Sequence, residues 1–392
     1  MKPAGYPLLE GGIDGEPIIY LDSASTTPKP KSVIAAVTHY YEHLGANVHR
    51  GLHPLGEAST EAYERARHKV AAFIGALPSE IIFTRNATDS INLVARALKL
   101  QPDDEVVFPA SEHHSNYLPW RVNATARLVD IDDEAVPLWN QLASKLTKKT
   151  RLVSVAHVSN VTGVIAPIGE WTRTAHDAGV PILVDASQSI SHLPVDVRAL
   201  GCDFMAFSSH KMFGPNGVGV LYVRRDRYPS LGLGNVGGGM VSFHGEDRFE
   251  PLEPPFAYEA GTPNIEGVIG LGAAVDHLKS IGMDQVFAHT QELARQLMEG
   301  LRALPHALVL GSRERLRTPL ATISMPMPSM RQTDIARLLA DANGILVSGG
   351  FHCAHVLHHR LHLDGTLRAA AHVFNDAGDI EALLRALREL SP

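Results

Sequence analysis

From about residue 80 the chain alternates between two kinds of apolar pattern. Short β-branched and aromatic runs fall at 81–84, 106–109, 127–131, 152–157, 182–185, 204–208 and 218–223. Helical patterns lie between them, at 89–100, 138–145 and 170–178. In the first of these Ile91, Val94, Ala95 and Leu98 share one face of a 3.6-residue period. Strands alternating with helices predict βαβ units around a mostly parallel sheet. Several runs are continuously apolar, which predicts strands covered on both faces. The alternation stops near Tyr222, and residues 228–264 are rich in Gly and Pro with no long periodic element. Helical patterns resume at 265–280, 285–304, 334–342 and 379–390, with a β-like segment at 321–326. The pattern predicts an α/β chain of two domains. A large domain spans 16–265 and a smaller one 266–392, with residues 1–15 packing on the smaller.

Composition narrows the class. A chain of 392 residues exceeds what one core usually organises, roughly 250–300 residues. With 45% hydrophobic and 20% charged residues it is neither disordered, collagen-like nor a disulfide scaffold. A net charge of −7 without a lysine-rich tract argues against nucleic acid and anionic membrane as partners. Two cysteines make no disulfide framework and fit a reducing compartment. No apolar stretch reads as a secretory leader, and none reaches the ~18 residues of a membrane helix. The expectation is a cytoplasmic globular protein whose one oddity is 21 histidines.

Gly232, Gly234 and Gly237 fit the spacing of a dinucleotide fingerprint. That motif needs a strand before it and a helix N-terminus after it. Here Pro229 precedes and Gly238, Gly239 and Met240 follow, so a loop is the better reading. The stronger constellation is spread over several βα junctions. Arg85-Asn86-Ala87-Thr88-Asp89 opens a helix after a strand, which suits either a phosphate or a plain N-cap. The run at 182–185 ends in Asp185, at the ligand-binding edge of a parallel sheet, and Gln188 follows. One crossover later Ser208-Ser209-His210-Lys211 ends another strand. A lysine there is either a solvated surface group or a Schiff-base amine for a carbonyl cofactor. Pyridoxal 5'-phosphate asks for an amine, a carboxylate for its ring nitrogen and donors for its phosphate. His113 offers an imidazole face for its ring.

These residues carry a resemblance to a known family. The chain resembles the fold-type I, class V aminotransferase superfamily, and within it the SufS-like group II cysteine desulfurases and selenocysteine lyases. The matching motifs run from Tyr20-Leu21-Asp22-Ser23-Ala24 through Val48-His49-Arg50-Gly51, Glu112-His113-His114 and His157-Val158-Ser159-Asn160. They continue through Asp185 with Gln188, Ser208 to Lys211, Glu259-Ala260-Gly261-Thr262-Pro263-Asn264 and His352-Cys353-Ala354 to Arg368. The resemblance implies a large domain with a mostly parallel central sheet and a smaller C-terminal α+β domain. It implies pyridoxal phosphate bound by Lys211 as a Schiff base, with Asp185 on the ring nitrogen, His113 stacked on the ring and Gln188 at the phenolic oxygen. Ala87 (through its backbone), Thr88, Ser208 and His210 match the phosphate cradle. Thr262 matches a threonine that reaches the phosphate of a neighbouring subunit, which implies a homodimer with shared active sites. Asn160 and Arg368 match positions that hold the amino acid. Cys353 matches the nucleophile that takes up sulfur as a persulfide before passing it to an acceptor, which implies a sulfur-acceptor protein as a partner. The implied reaction removes sulfur or selenium from L-cysteine or an analogue to give alanine.

The two cysteines read differently. Cys202, beside a strand, reads as a small buried hydrophobe. Cys353 follows Gly349, Gly350 and His352, a turning backbone with imidazoles nearby that favour a thiolate. His355, His358 or His359, and His362 also have helical spacing for a zinc site with Cys353. Neighbouring Val356, Leu357 and Leu361 argue instead for a helix that leaves those imidazoles solvated, so no metal is expected. The sequence also departs from the SufS-like pattern. Ser348-Gly349-Gly350 stands where those enzymes have arginine-threonine-glycine, Phe351 replaces a histidine, and Arg368-Ala369-Ala370 replaces arginine-alanine-serine. The departures leave open a C–S β-lyase, an epimerase or another class V enzyme acting on a cysteine conjugate. A catalytically silent binding protein of the same fold is opposed by intact Lys211 and Asp185.

Overall fold

The computed structural model describes residues 5–305, 307–325 and 330–390. The central element is a seven-stranded sheet in the order Ile81–Thr84, Gly219–Val223, Phe204–Ser208, Ile182–Asp185, Thr150–Ala156, Glu105–Pro109, Thr125–Val129. Every neighbouring pair is parallel except the two made by Gly219–Val223. The pleat divides each apolar run between two cores. Ile81, Phe83, Val153, Val155, Ile182, Val184, Met205 and Phe207 enter one, and Ile82, Leu152, Leu183, Phe204 and Ala206 the other. Successive side chains of a strand point to opposite faces, so a run buried on both must be apolar at every position.

The first core is covered by helices Pro54–Phe73, Ile168–Asp177 and Ile265–Ile281, and the second by Ala87–Ala97. The helix Ile265–Ile281 begins where the sequence pattern places the change of domain. Its buried residues Ile265, Val268, Leu271 and Val275 nevertheless pack in the core of the large sheet. By packing, the smaller unit starts with the helix Met283–Arg302.

That unit holds a four-stranded antiparallel sheet in the order Leu308–Val309, Leu320–Ser324, Thr366–Ala370, Ser348–Gly350. Helices Met283–Arg302, Gln332–Asn343 and Ala377–Leu390 close over it around Leu297, Ile335, Leu339 and Leu383. The amino-terminal segment is shared between the units in the reverse of the expected sense. Tyr6 is buried against Phe213 and Phe374 in the large core. Ile19–Tyr20 pairs in parallel with Ile345–Leu346, and Leu21 enters the small core. Pro326, the end of the β-like run read from the sequence, lies outside the described residues, as do residues 1–4 and 391–392. The glycines at 232, 234 and 237 are followed by an antiparallel pair, Val241–His244 with Phe249–Pro251.

Candidate functional site

The parallel strands end on one side of the sheet, and their C-terminal ends open into a cavity of about 500 Å³. Its floor is built at three of these ends. After Ile81–Thr84 the chain turns into the helix Ala87–Ala97, capped by Asn86, whose side chain accepts the Asp89 amide at 2.9 Å. Gly219 lies so close to Asn86 that a Cβ there would sit 2.4 Å from the Asn86 carbonyl carbon, which fixes glycine at that point. The Ala87 amide donates to Ser208 Oγ at 2.8 Å, so two residues expected at a phosphate meet one another. Thr88 Oγ1 is hydrogen-bonded to Ser115 Oγ at 2.6 Å.

Asp185 ends its strand 6% exposed, with Oδ1 accepting the Ser187 amide at 2.9 Å. Gln188 faces the same cavity, and its Nε2 donates to the Ala24 carbonyl. Lys211 follows Phe204–Ser208, and its amine makes no hydrogen bond or ion pair within the described chain. Burial pushes that amine down to about 8; Asp185 pulls it up and Arg368 pushes it further down. Burial, aided by the Lys211 charge, lowers His113 to about 3 and His210 to about 4, so both rings are neutral. The His113 turn is tied to the sheet by buried Glu112, which accepts from the Ala156 amide and from Asn116.

The opposite wall comes from the two ends of the chain. Arg368 lies on Thr366–Ala370 directly across from Ser348. It is 5% exposed; Nη1 donates to the Asn160 carbonyl at 3.1 Å and Nη2 to Ser25 Oγ at 2.8 Å. Its Nε is buried without a partner. Asp22 stands behind it, 3.6 Å from Nη2, accepting from Ser25 at 2.8 Å and Ser348 at 2.6 Å. The Asn160 side chain donates to the His352 carbonyl at 2.8 Å, and the His114 amide to the Cys353 carbonyl at 2.8 Å. These bonds hold His352 and Cys353 at φ of +48° and +56°, a left-handed turn that non-glycine residues rarely adopt. Cys353 is exposed at the cavity mouth; Cys202 is buried, and burial pushes its thiol well up.

Of the residues that the family resemblance assigns to cofactor, substrate or sulfur, only Thr262 lies outside this cavity. It is exposed and lines a separate depression with Arg50. The imidazoles after Cys353 are not all solvated as expected. His358 is buried, bonded to the Ala354 carbonyl and to Thr366 Oγ1. Among the described residues no three His, Cys, Asp or Glu side chains gather as a metal site.

The sequence model of the family "Aminotransferase class-V" matches residues 19–383. The chain belongs to the class V aminotransferase family. A relative from Halalkalibacterium halodurans, named "Probable cysteine desulfurase", is 40% identical over 98% of this chain and 96% of its own. The apo structure of a cysteine desulfurase from Thermococcus onnurineus NA1 superposes with a TM-score of 0.92 at 36% identity, covering 100% of this chain and 99% of that one. The Escherichia coli cysteine desulfurase CsdA, in an S-sulfonic acid form, gives 0.88 at 33% identity over 98% and 96%.

As in a class V aminotransferase, the cavity suits pyridoxal phosphate. It holds a buried amine without a partner, a carboxylate at a neighbouring strand end, and a helix N-terminus with hydroxyls at the floor. The unpartnered Arg368 Nε marks the same cavity as built for an anionic guest. Asp22 and Ser25 of this class V chain lay within or beside a recognised motif but had no role assigned from sequence. Their part emerges only from contacts with Ser348 and Arg368, more than 300 positions away.

Proposed function

We propose that the protein is a pyridoxal-phosphate-dependent cysteine desulfurase, taking sulfur (or selenium) from L-cysteine or an analogue and leaving alanine and a persulfide on Cys353. One juxtaposition carries the reading: Lys211, Arg368 and Cys353 line a single cavity, with the amine buried and the thiol exposed. Lys211 would hold the cofactor's aldehyde and Asp185 its ring nitrogen, with His113 against the ring and Gln188 near the phenolic oxygen. The Ala87 amide, Thr88, Ser208 and His210 would take the phosphate. When bound, the cofactor supplies an electron sink for charge developing at the substrate's α-carbon.

The chain's own residues do the rest. Arg368, held from behind by Asp22 and Ser25, grips the substrate carboxylate with Asn160 beside it. The Lys211 amine, lowered to about 8, is poised to take the α-proton near neutral pH. Cys353 thiolate attacks the substrate sulfur. An S–S bond forms, the Cβ–S bond breaks, and its electron pair stays with the three-carbon fragment, which takes up a proton and leaves as alanine.

The exposure of Cys353 supports transfer of the outer sulfur to an acceptor thiol, on a partner protein or a small molecule. Thr262 lies outside its own cavity, beside Arg50, and nearby Leu52 is 99% exposed, which supports a homodimer covering this surface. Two free cysteines support a cytoplasmic setting. No described helix is long and apolar enough to cross a membrane.

The test is product analysis from L-cysteine, with and without Cys353→Ser. With a thiol reductant such as dithiothreitol present to release the persulfide's outer sulfur, alanine and sulfide in equal amounts are expected from the wild type, with alanine lost in a variant that still carries the cofactor's visible band. A second reading, a C–S β-lyase acting on a cysteine conjugate, is favoured by one observation. Ser348 donates to Asp22, as Ser25 does, and supplies no charge of its own, which leaves Arg368 as the cation paired with that carboxylate on this wall. Pyruvate and ammonia unaffected by Cys353→Ser would establish that reading instead.

A further inference from the structure

Behind the Asn160 wall the chain contains a charge without a counter-ion. The segment around Arg317 runs across the turn after Asn160, with the Ile165 amide on the Leu316 carbonyl and the Thr318 amide on the Gly163 carbonyl. Arg317 is 3% exposed, and its Nη2 donates to the Thr162 carbonyl. Its Nε and Nη1 are buried with no hydrogen-bond partner, and no carboxylate pairs with it among the described residues. Burial, and then the neighbouring Arg302, push its pKa down to about 10, which leaves it charged at neutral pH. A buried guanidinium with orphaned donors is an arrangement proteins normally complete with an ion or a polar group.

Arg317 also lines a surface cavity of about 490 Å³ against the helix Met283–Arg302. Three further arginines line it, of which Arg302 and Arg315 are exposed and without an acid partner among the described residues. Of its carboxylates, Glu292 and Glu299 are taken by Arg295. Nearby Glu134 accepts from Ser312 and the Arg313 amide and shares the Arg313 guanidinium with Asp133, and its charge draws the Arg317 pKa upward. Glu314 alone is unpaired. Over the whole lining, four arginines face three glutamates, so the cavity keeps one positive charge in excess, and its three unpaired guanidinium groups are suited to an oxyanion.

We propose that this cavity binds a small oxyanion through Arg317, Arg302 and Arg315. The site lies in the smaller unit, apart from the cavity at the ends of the parallel strands, and does not depend on the reaction carried out there. The buried guanidinium supplies two desolvated donors that lack a partner, and the two exposed arginines supply capture from solution.

The experiment is calorimetric titration of the cofactor-loaded protein, whose own phosphate-binding groups are then occupied, at low ionic strength. Inorganic phosphate and succinate are titrated separately, to distinguish a phosphoryl from a carboxylate source. Saturable binding of at least one of them, one ion per chain, is expected. It should weaken at least tenfold in Arg317→Met and in the double variant Arg302→Gln/Arg315→Gln. The double variant alters only exposed side chains, so it decides the matter should Arg317→Met fail to fold. Absence of saturable binding by both ions, or binding unchanged in the double variant, overturns the proposal. So does a crystal structure grown in phosphate in which Glu314 pairs with Arg317.

Discussion

The Lys29 ammonium donates to the carbonyl oxygen of His210 at 2.8 Å, on the peptide that leads into Lys211. The same oxygen receives the Thr27 amide at 3.0 Å and the Thr26 and Thr27 hydroxyls at 3.1 Å each. A carbonyl has two lone pairs, so four donors around one oxygen fix that peptide from several directions at once. Thr27 Oγ1 also accepts the Phe213 amide at 2.8 Å, which closes the clamp beyond the lysine. Lys29→Met removes the charged donor at a loss of about 1.5–3 kcal/mol, the usual range for a hydrogen bond from a charged group. The expected outcome is faster hydrogen exchange in residues 209–213 and faster cofactor release, with exchange in the small unit unchanged. Mass spectrometry of exchanged peptides reads both regions in one experiment.

With Lys211 in its proposed role, capture of pyridoxal phosphate requires the neutral amine. With that amine lowered to about 8, the rate of capture by cofactor-free protein should rise with pH, with its midpoint near 8. Asp185 pulls the amine's pKa upward, so Asp185→Asn should move the midpoint to lower pH. The same substitution should reduce turnover by about 10²–10³, the usual effect of removing one preorganised electrostatic partner. Stopped-flow absorbance across a pH series gives the midpoint, and an alanine assay gives turnover.

Arg368→Lys keeps the charge and discards the planar fork. Losing one charge-assisted hydrogen bond, about 1.5–3 kcal/mol, corresponds to roughly a 10- to 100-fold rise in KM for cysteine. The cofactor band should be unchanged, because Arg368 lies with Ser25 and Asn160 on the wall proposed for the amino acid. An equal loss of cofactor would contradict this division of the cavity.

Acid should loosen the fold through a buried histidine pair. His192 and His372 lie with ring centroids 4.1 Å apart, and His372 packs edge-on to Phe213. Burial lowers His192 to about 4 and takes His372 well below its ordinary 6.5. Between pH 6.5 and 4 the unfolded chain binds protons there and the folded chain does not, so stability falls as pH falls. For His192 alone the loss by pH 4 is roughly 3 kcal/mol. Denaturant midpoints at pH 7 and 4.5 should differ less in His192→Phe than in the wild type.

The parts legible in the sequence were those where one signal acted alone. Strands Ile81–Thr84, Ile182–Asp185 and Phe204–Ser208 were read to the residue, because burial on both faces leaves an unbroken apolar run. The edge strand Thr125–Val129 was read two residues late, since it is mostly part-exposed and its apolar signal is diluted. The helix Pro54–Phe73 went unread because Arg67, 1% exposed, occupies a core position. Arg67 is stabilised there by Glu259 and the face of Phe83. The placement of Asp185 and Lys211 in one cavity was legible because Asp185 ends its strand and Lys211 comes three residues after another, both strands running in a predictable direction. The roles of Lys29, Asp22 and Ser25 were not, because they depend on partners brought near only by tertiary packing.

The Ile19–Tyr20 strand, paired with Ile345–Leu346, brings distant parts of the chain together beside the cavity. The residues proposed to hold the coenzyme's ring and phosphate lie between positions 87 and 211, whereas the wall proposed for the amino acid joins Ser25 to Arg368, 343 positions away. Damage to the seam between the two units should therefore cost amino-acid binding before it costs the coenzyme.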